Sequence, residues 1–126
     1  VQALDTMHER RWTCVFCKRA IVSQACAVAQ KLGAEAVVMG DNLGQVASQT
    51  LANMALITHG MPIPILRPLI GYDKTEIVDL ARRIGTFEIS TRAEESCPFL
   101  PPNPATRGKL ERMLEIEEKL RAAGAI

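Results

Sequence analysis

The feature that most limits the fold is a short, continuously apolar run between two segments of helical periodicity. This run, EAVVMG at residues 35–40, is rich in β-branched residues and is bounded by Gly33 and Gly40. Such a run is typical of a parallel strand covered on both faces. A second apolar run, PILRPLI at residues 64–70, predicts the next strand, with Pro68 marking an end or an edge because proline donates no ladder hydrogen bond.

Helical patterns alternate with these two runs. The sequence DKTE at the start of one helix has the arrangement of a capping box, with Asp73 as the N-cap and Glu76 reaching back. A stripe in the first helix is expected to face the core and consists of Ile21, Ala25, Val28 and Leu32. The predicted helices cover residues 18–32, 46–58, 73–84 and 108–124, and a proline-rich loop covers residues 90–106.

Helices alternating with parallel strands predict an α/β fold. Two strands bury too little apolar surface to stand alone, so we expect further strands in a segment outside these 126 residues or in a second copy of the chain. The exposed strand edges make a homodimer a plausible partner arrangement. Because the chain begins at Val1 without an initiator methionine, we interpret it as a fragment.

Composition excludes some classes of protein. A content of 48% hydrophobic residues can fill one core, and a net charge of +1 excludes the overall basicity of a strong nucleic-acid binder, although a local basic patch remains compatible with it. No apolar run reaches the roughly 20 residues that span a bilayer, and no leader precedes the first helix, so the sequence predicts a cytoplasmic protein with no membrane partner.

Three of the four cysteines have the pattern of a ligand set. Cys14 and Cys17 form a Cys-x-x-Cys pair, and Cys97 lies in the proline-rich loop, where no helical periodicity explains it as core. Three thiolates suit a [4Fe–4S] cluster with one free iron, or a zinc ion with an exchangeable ligand. The spacing is equally compatible with small, buried thiols that bind nothing. Cys26 falls on the apolar stripe of the first helix and is predicted to be core.

Polar residues near the strand ends are candidates for ligand binding. Open α/β sheets bind ligands at the carboxyl ends of their strands. Glycine and glutamine there can equally be turn and solvated helix surface, and the basic side chains can meet phosphate or water. The candidates are Gly40, Gln45, Gln49, Lys18, Arg19, Arg67 and Lys74.

The blocks VVMGDNLGQVASQTLANM and ILRPLIGYDKTEIVDLARRIGTFEIS strongly resemble the tRNA 4-thiouridine synthetases, also called thiamine-biosynthesis sulfurtransferases, which are PP-loop ATP pyrophosphatases. The resemblance implies that ATP, with Mg²⁺, adenylates a uridine of tRNA, and that sulfur from a protein persulfide or sulfide then displaces AMP. It assigns nucleotide contacts to Lys18, Gly40 and Gln49, an activity-linked role to Lys74, and sulfur transfer to Cys97. Members with a sequence like TCVFCKR resemble those that hold an iron–sulfur cluster, here on Cys14, Cys17 and Cys97.

The resemblance also indicates what these 126 residues lack. The family's S-G-G-x-D-S loop and the RNA-binding region before it are absent. Residues 1–126 are therefore interpreted as the C-terminal half of a PP-loop domain, with residues 13–97 matching its core and residues 98–126 forming the loop and terminal helix. Alone, this half is expected not to hydrolyse ATP. The alternatives are a non-enzymatic iron–sulfur or zinc module, and a PP-loop enzyme with another substrate, against which the block GQVASQT argues.

Overall fold

A computed structural model describes residues 1–44, 46–92 and 97–126. Six α-helices, two strands and two short 3₁₀ turns make up the described part. The helices are α1 (Gln2–Thr6), α2 (Thr13–Lys31), α3 (Leu51–Thr58), α4 (Lys74–Arg83), α5 (Phe87–Ser90) and α6 (Leu110–Ala122). The strands are β1 (Val37–Val38) and β2 (Ile65–Leu66), and the 3₁₀ turns are Arg10–Trp12 and Ala47–Gln49. None of the helices in these ranges has the length and apolarity needed to cross a bilayer.

The two predicted strands form a parallel pair, which confirms the α/β class. Val37 pairs with Ile65 and Val38 with Leu66. The side chains of Val37 and Ile65 pack against the core, whereas Val38 is 67% exposed on the other face. Within the described residues only the face that carries Val37 and Ile65 is covered, so these residues alone do not supply the predicted cover on both faces.

The first long helix begins earlier than predicted and turns a different face to the core. Helix α2 begins at Thr13, directly after the 3₁₀ turn, so the Cys-x-x-Cys pair lies in its first two turns. Its buried residues are Thr13, Val15, Val22, Cys26 and Ala29. Most of the predicted stripe is wrong: Ile21, Val28 and Leu32 are more than half exposed, because α2 packs on one side only. The prediction that Cys26 is core is confirmed.

The terminal helix closes the core as predicted. Met113, Ile116 and Leu120 of α6 are buried in one cluster with Leu4 of α1 and Trp12. Full burial of such a side chain contributes roughly 1.5–3 kcal/mol. The N-terminal segment thus joins the core through Leu4, with Ala3 and Met7 packed against the same cluster.

A buried asparagine joins helix α3 to the loop before α6. The Asn53 side chain has no exposed surface; it donates to the carbonyls of Ala47 and Ala105, both at 2.7 Å, and accepts from the Gly108 N–H at 3.0 Å. Gly108 lies so close that a Cβ there would fall 2.4 Å from a methyl of Leu56. The proline-rich loop is therefore fixed to the helix pair α2 and α3 at its C-terminal end.

The predicted capping box is confirmed at the start of α4. The Asp73 carboxylate accepts from the Glu76 N–H at 2.9 Å, and the Glu76 carboxylate accepts from the Asp73 N–H at 2.8 Å. Both bonds satisfy amides that a helix start otherwise leaves without partners. The position of Lys74, the first residue of this helix, is set by the cap.

Candidate functional site

A buried carboxylate lies just beyond the carboxyl end of β1. Asp41 is 4% exposed, and its two oxygens accept from Lys18 Nζ at 2.8 Å and from Arg67 Nε at 3.3 Å. Lys18 comes from the second turn of α2, and Arg67 directly follows β2. Three elements therefore meet at the edge where parallel sheets bind ligands. We call Asp41, Lys18, Arg67 and Gln49 the Asp41 cluster.

The electrostatics of this cluster favour a charged carboxylate. Burial alone would raise the pKa of Asp41, but the hydrogen bond and charge of Lys18, with smaller effects from Arg67 and the Gln49 amide, lower the pKa below its ordinary value. Two buried atoms of the cluster, Gln49 Oε1 and Arg67 Nη2, have no hydrogen-bond partner among the described residues. Buried polar atoms rarely stay unpaired, so this is a place where a ligand or water is expected.

The cluster brings together two of the three residues predicted to contact nucleotide. Lys18 and Gln49 both face Asp41, and Gly40 directly precedes it, with open space around its Cα. Gln45, the other glutamine considered, lies outside the described residues.

Arg19, proposed from the sequence as a phosphate contact, is used by the fold instead. Its guanidinium donates to the carbonyls of Leu56 and His59, at 3.1 and 2.7 Å, and pairs with Glu117 at 3.3 Å. It thereby covers the C-terminal carbonyls of α3 and ties α6 to α2. Of the Lys18-Arg19 pair, only Lys18 therefore remains a candidate phosphate contact.

Backbone contacts link the loop after β1 to the loop before Lys74. The Asn42 side chain donates to the Tyr72 carbonyl at 3.3 Å, and the Leu43 N–H donates to the Ile70 carbonyl at the same distance. Lys74 is exposed just beyond these contacts. Lys74 therefore follows a loop that is tied to the one carrying Asp41, although it has no described contact with the cluster.

The loop cysteine approaches the N-terminal pair. Burial raises the pKa of the Cys14 thiol, and Coulombic repulsion from Cys97 and Cys17 raises it further. Such a Coulombic effect requires Cys97 to be near Cys14 in space, far apart as they are in sequence. Cys14 is half-buried, while Cys17 and Cys97 are exposed.

Nearness of the thiols does not amount to a metal site. Within residues 1–44, 46–92 and 97–126, no three cysteine, histidine or acidic side chains are arranged to hold a metal ion. As donors, Cys14, Cys17 and Cys97 suit zinc or an iron–sulfur cluster, but their described positions do not form that coordination. The metal assignment therefore stays a prediction.

Asp41, the centre of the cluster, is not among the residues predicted from the sequence to bind a ligand. One sequence signal points to it: an acidic residue directly after a predicted parallel strand lies at the ligand-binding edge of the sheet. Its pairing with Lys18 and Arg67 depends on tertiary packing and has no local signature.

The comparisons with known proteins agree along nearly the whole chain. Residues 1–122 match the family model described as thiamine biosynthesis protein (ThiI). A probable tRNA sulfurtransferase of Methanocaldococcus jannaschii is 49% identical over 121 residues, covering 96% of this chain and 32% of that protein. One of Thermoanaerobacter sp. X514 is 46% identical, covering 87% of this chain and 30% of that protein.

A solved structure supports the same relationship. The crystal structure of a 4-thiouridine synthetase in complex with RNA and with bound ATP superposes with a TM-score of 0.82 at 40% identity, covering 90% of this chain and 30% of that one. The chain thus spans about a third of the length of these relatives. With a match over residues 1–122, this chain belongs to the thiamine biosynthesis protein (ThiI) family.

Proposed function

We propose that this chain is part of an ATP-dependent tRNA sulfurtransferase, in which ATP adenylates a uridine of tRNA and sulfur then displaces AMP to give 4-thiouridine. The observation that carries the proposal is the convergence of Lys18, Arg67 and Gln49 on Asp41 at the carboxyl end of the sheet. The relatives are called tRNA sulfurtransferases, and the similar solved structure holds RNA and ATP.

The chemistry of the cluster fits nucleotide activation. Adenylation places negative charge on the α-phosphate and on the departing pyrophosphate, and fixed cations stabilise that charge best where water is scarce. Lys18 and Arg67 are largely buried cations, with side chains 28% and 14% exposed. Gly40 leaves room for the ligand to approach the backbone. Mg²⁺, in the complete enzyme, would share the charge of the phosphates.

The second half of the reaction falls to Cys97. A thiolate or persulfide is the soft nucleophile that sulfur transfer needs, and Cys97 is exposed, so a donor protein or tRNA can reach it. The neighbouring Cys14 is held in its neutral thiol form to higher pH by its raised pKa. Cys97 is therefore the proposed sulfur carrier: its thiolate takes the outer sulfur of a protein persulfide, and the donor is left as a thiolate. If sulfide is the donor instead, it displaces AMP directly and no persulfide forms on Cys97.

These 126 residues are proposed to act as the C-terminal half of a PP-loop domain. What supports this is that they span about a third of their relatives and contain no S-G-G-x-D-S loop. ATP turnover then requires a polypeptide that carries the loop, and the uncovered sheet face around Val38 is compatible with further strands or a second copy. Lys74, near the same edge, is proposed to contribute to activity.

A thiolation assay on unmodified tRNA, with the full-length product of the gene, tests the proposal. We expect 4-thiouridine to form with ATP and a sulfur donor, and Cys97→Ser to abolish its formation while ATP binding stays unchanged. Lys18→Met is expected to weaken ATP binding, whereas Lys31→Met, an exposed lysine in the last turn of the same helix, leaves it unchanged. Full thiolation by Cys97→Ser would contradict the assigned role.

A metal- or cluster-binding module is the second candidate, favoured by the Coulombic effects of Cys97 and Cys17 on Cys14. When bound, an iron–sulfur cluster or zinc would offer an open coordination position for sulfide. Metal analysis and an absorption spectrum after anaerobic purification separate cluster, zinc and empty thiols. Tightly bound iron with no tRNA thiolation would favour this candidate over the enzyme, and metal-free protein that thiolates tRNA would exclude it.

A further inference from the structure

The Asp41 carboxylate has features that a purely structural ion pair does not need. It lies deepest in the cluster, with its side chain 5% exposed, while Arg67 and Lys18 lie progressively nearer to solvent. Two cations against one carboxylate leave the cluster with one unbalanced positive charge. A ligand can therefore reach both cations from the solvent side while Asp41 continues to hold them from below.

The cations also retain hydrogen-bonding capacity. Among the described residues, only Asp41 pairs with Lys18, and a lysine ammonium has three donors. Arg67 uses Nε on Asp41, while its buried Nη2 has no hydrogen-bond partner in residues 1–44, 46–92 and 97–126. A guanidinium held in this way presents donors in a fixed plane that suits phosphate oxygens.

We propose that Asp41 is the positioning residue of the nucleotide site and that Arg67, which it orients, is a second phosphate contact beside Lys18. This inference rests on the proposed function, because the anion is taken to be the triphosphate of ATP. Without the carboxylate, two cations from different elements repel each other, and neither has a described partner to fix its position. Asp41 thus prepares the site before the ligand arrives.

Calorimetric titration of the full-length gene product with a non-hydrolysable ATP analogue tests the inference. Asp41→Asn keeps the shape of the side chain and removes its charge, so we expect affinity to fall about tenfold, which is 1.4 kcal/mol. Asp79→Asn is the matched control, because Asp79 also pairs with an arginine, Arg82 at 3.4 Å, but on the exposed surface of α4. The affinity of Asp79→Asn for the ATP analogue is expected to equal that of the wild type.

A double-mutant cycle separates positioning from a general effect on folding. If Asp41 acts through Lys18, the combined Asp41→Asn and Lys18→Met variant loses less affinity than the product of the two single losses. If the loss of affinity in the double variant equals the product of the two single losses to within about a factor of two, the two residues act independently. That result would overturn the positioning role.

Arg67→Lys keeps the proposal testable if Asp41→Asn does not fold. Lysine retains the charge but not the planar fork, so we expect a loss of several-fold in ATP affinity, with no loss in Arg83→Lys on exposed α4. Unchanged affinity in Arg67→Lys overturns the phosphate contact. If the wild-type protein binds no ATP, the proposed function and this inference are both overturned. If the wild type binds ATP and the Asp41 and Arg67 variants bind it with the same affinity, only this inference is overturned.

Discussion

Replacing Asn53 by alanine tests whether one buried side chain fixes the proline-rich loop to the rest of the molecule. The amide makes three hydrogen bonds to backbone groups, at Ala47, Ala105 and Gly108, and no part of it reaches solvent. Alanine removes all three bonds and provides no substitute. The change leaves the helix itself intact, because the Asn53 backbone N–H keeps its bond to the Thr50 cap.

The magnitude follows from the groups left behind. A buried backbone group without a partner costs roughly 1–3 kcal/mol. Three such groups, each at the low end because water can enter the vacated space, predict that the free energy of unfolding falls by about 3 kcal/mol. That is a large share of the 5–15 kcal/mol typical of a whole domain. Asn53→Asp is expected to be no milder, since it points a carboxylate at two carbonyl oxygens.

Urea unfolding followed by tryptophan fluorescence measures this loss. Trp12 is the single tryptophan; it is buried and close to Gly108, so its emission reports on the affected region. Asn103→Ala is the control, because Asn103 is exposed in the same loop and contributes only its backbone carbonyl, to Arg11. A loss below about 1 kcal/mol in Asn53→Ala, or an equal loss in the control, would refute the reasoning.

Three further predictions concern Gly108, the cap of α4, and the effect of Cys97 on Cys14. Gly108→Ala is expected to cost about 1–3 kcal/mol of unfolding free energy, because its Cβ would meet three side chains at 3.0 Å or less, while Gly71→Ala, with open space around it, stays within about 0.5 kcal/mol of wild type. Asp73→Ala removes the cap of α4 and should lower the unfolding free energy by about 1 kcal/mol in thermal denaturation. Cys97→Ser removes a negative charge that raises the pKa of Cys14, so alkylation of Cys14, followed by mass spectrometry against pH, should shift to lower pH; an unshifted profile would show that the two thiols do not interact.

The sequence predicts correctly those elements that are determined by residues close together in the chain. The capping box at Asp73 depends on residues three apart, and the strand at residues 35–40 depends on a continuous apolar run, so both could be read from the sequence. Helix α6 was predicted at residues 108–124 for the same reason and is observed at Leu110–Ala122. These elements require no knowledge of what packs against them.

The wrong predictions concern residues whose burial or contacts depend on which other elements pack against them. Ile21 and Val28 have the spacing of a core stripe, yet α2 contacts its neighbours through Val15 and Val22, and nothing in the helix distinguishes the two faces. In the sequence, Arg19 resembles a phosphate contact, but in the structure its guanidinium donates to the His59 carbonyl at the C-terminus of α3. Periodicity tells that a helix is amphipathic, but the position of its neighbours decides which apolar residues are covered.

The same limit applies to the candidate site, with a consequence for how mutations there are interpreted. The block at residues 37–54 carries part of the family resemblance, yet three of its polar residues, Asp41, Asn42 and Asn53, are buried against protein groups. Asn53 fixes the C-terminal end of the loop that holds Cys97, and Asn42 ties the Asp41 loop to the start of α4. Loss of sulfur transfer after a change in this block therefore identifies a ligand contact only when the unfolding free energy is unchanged. Lys18 meets this criterion best. Its side chain is the most exposed of the three charged side chains in the Asp41 cluster, so an effect on ligand binding there can be separated from an effect on stability.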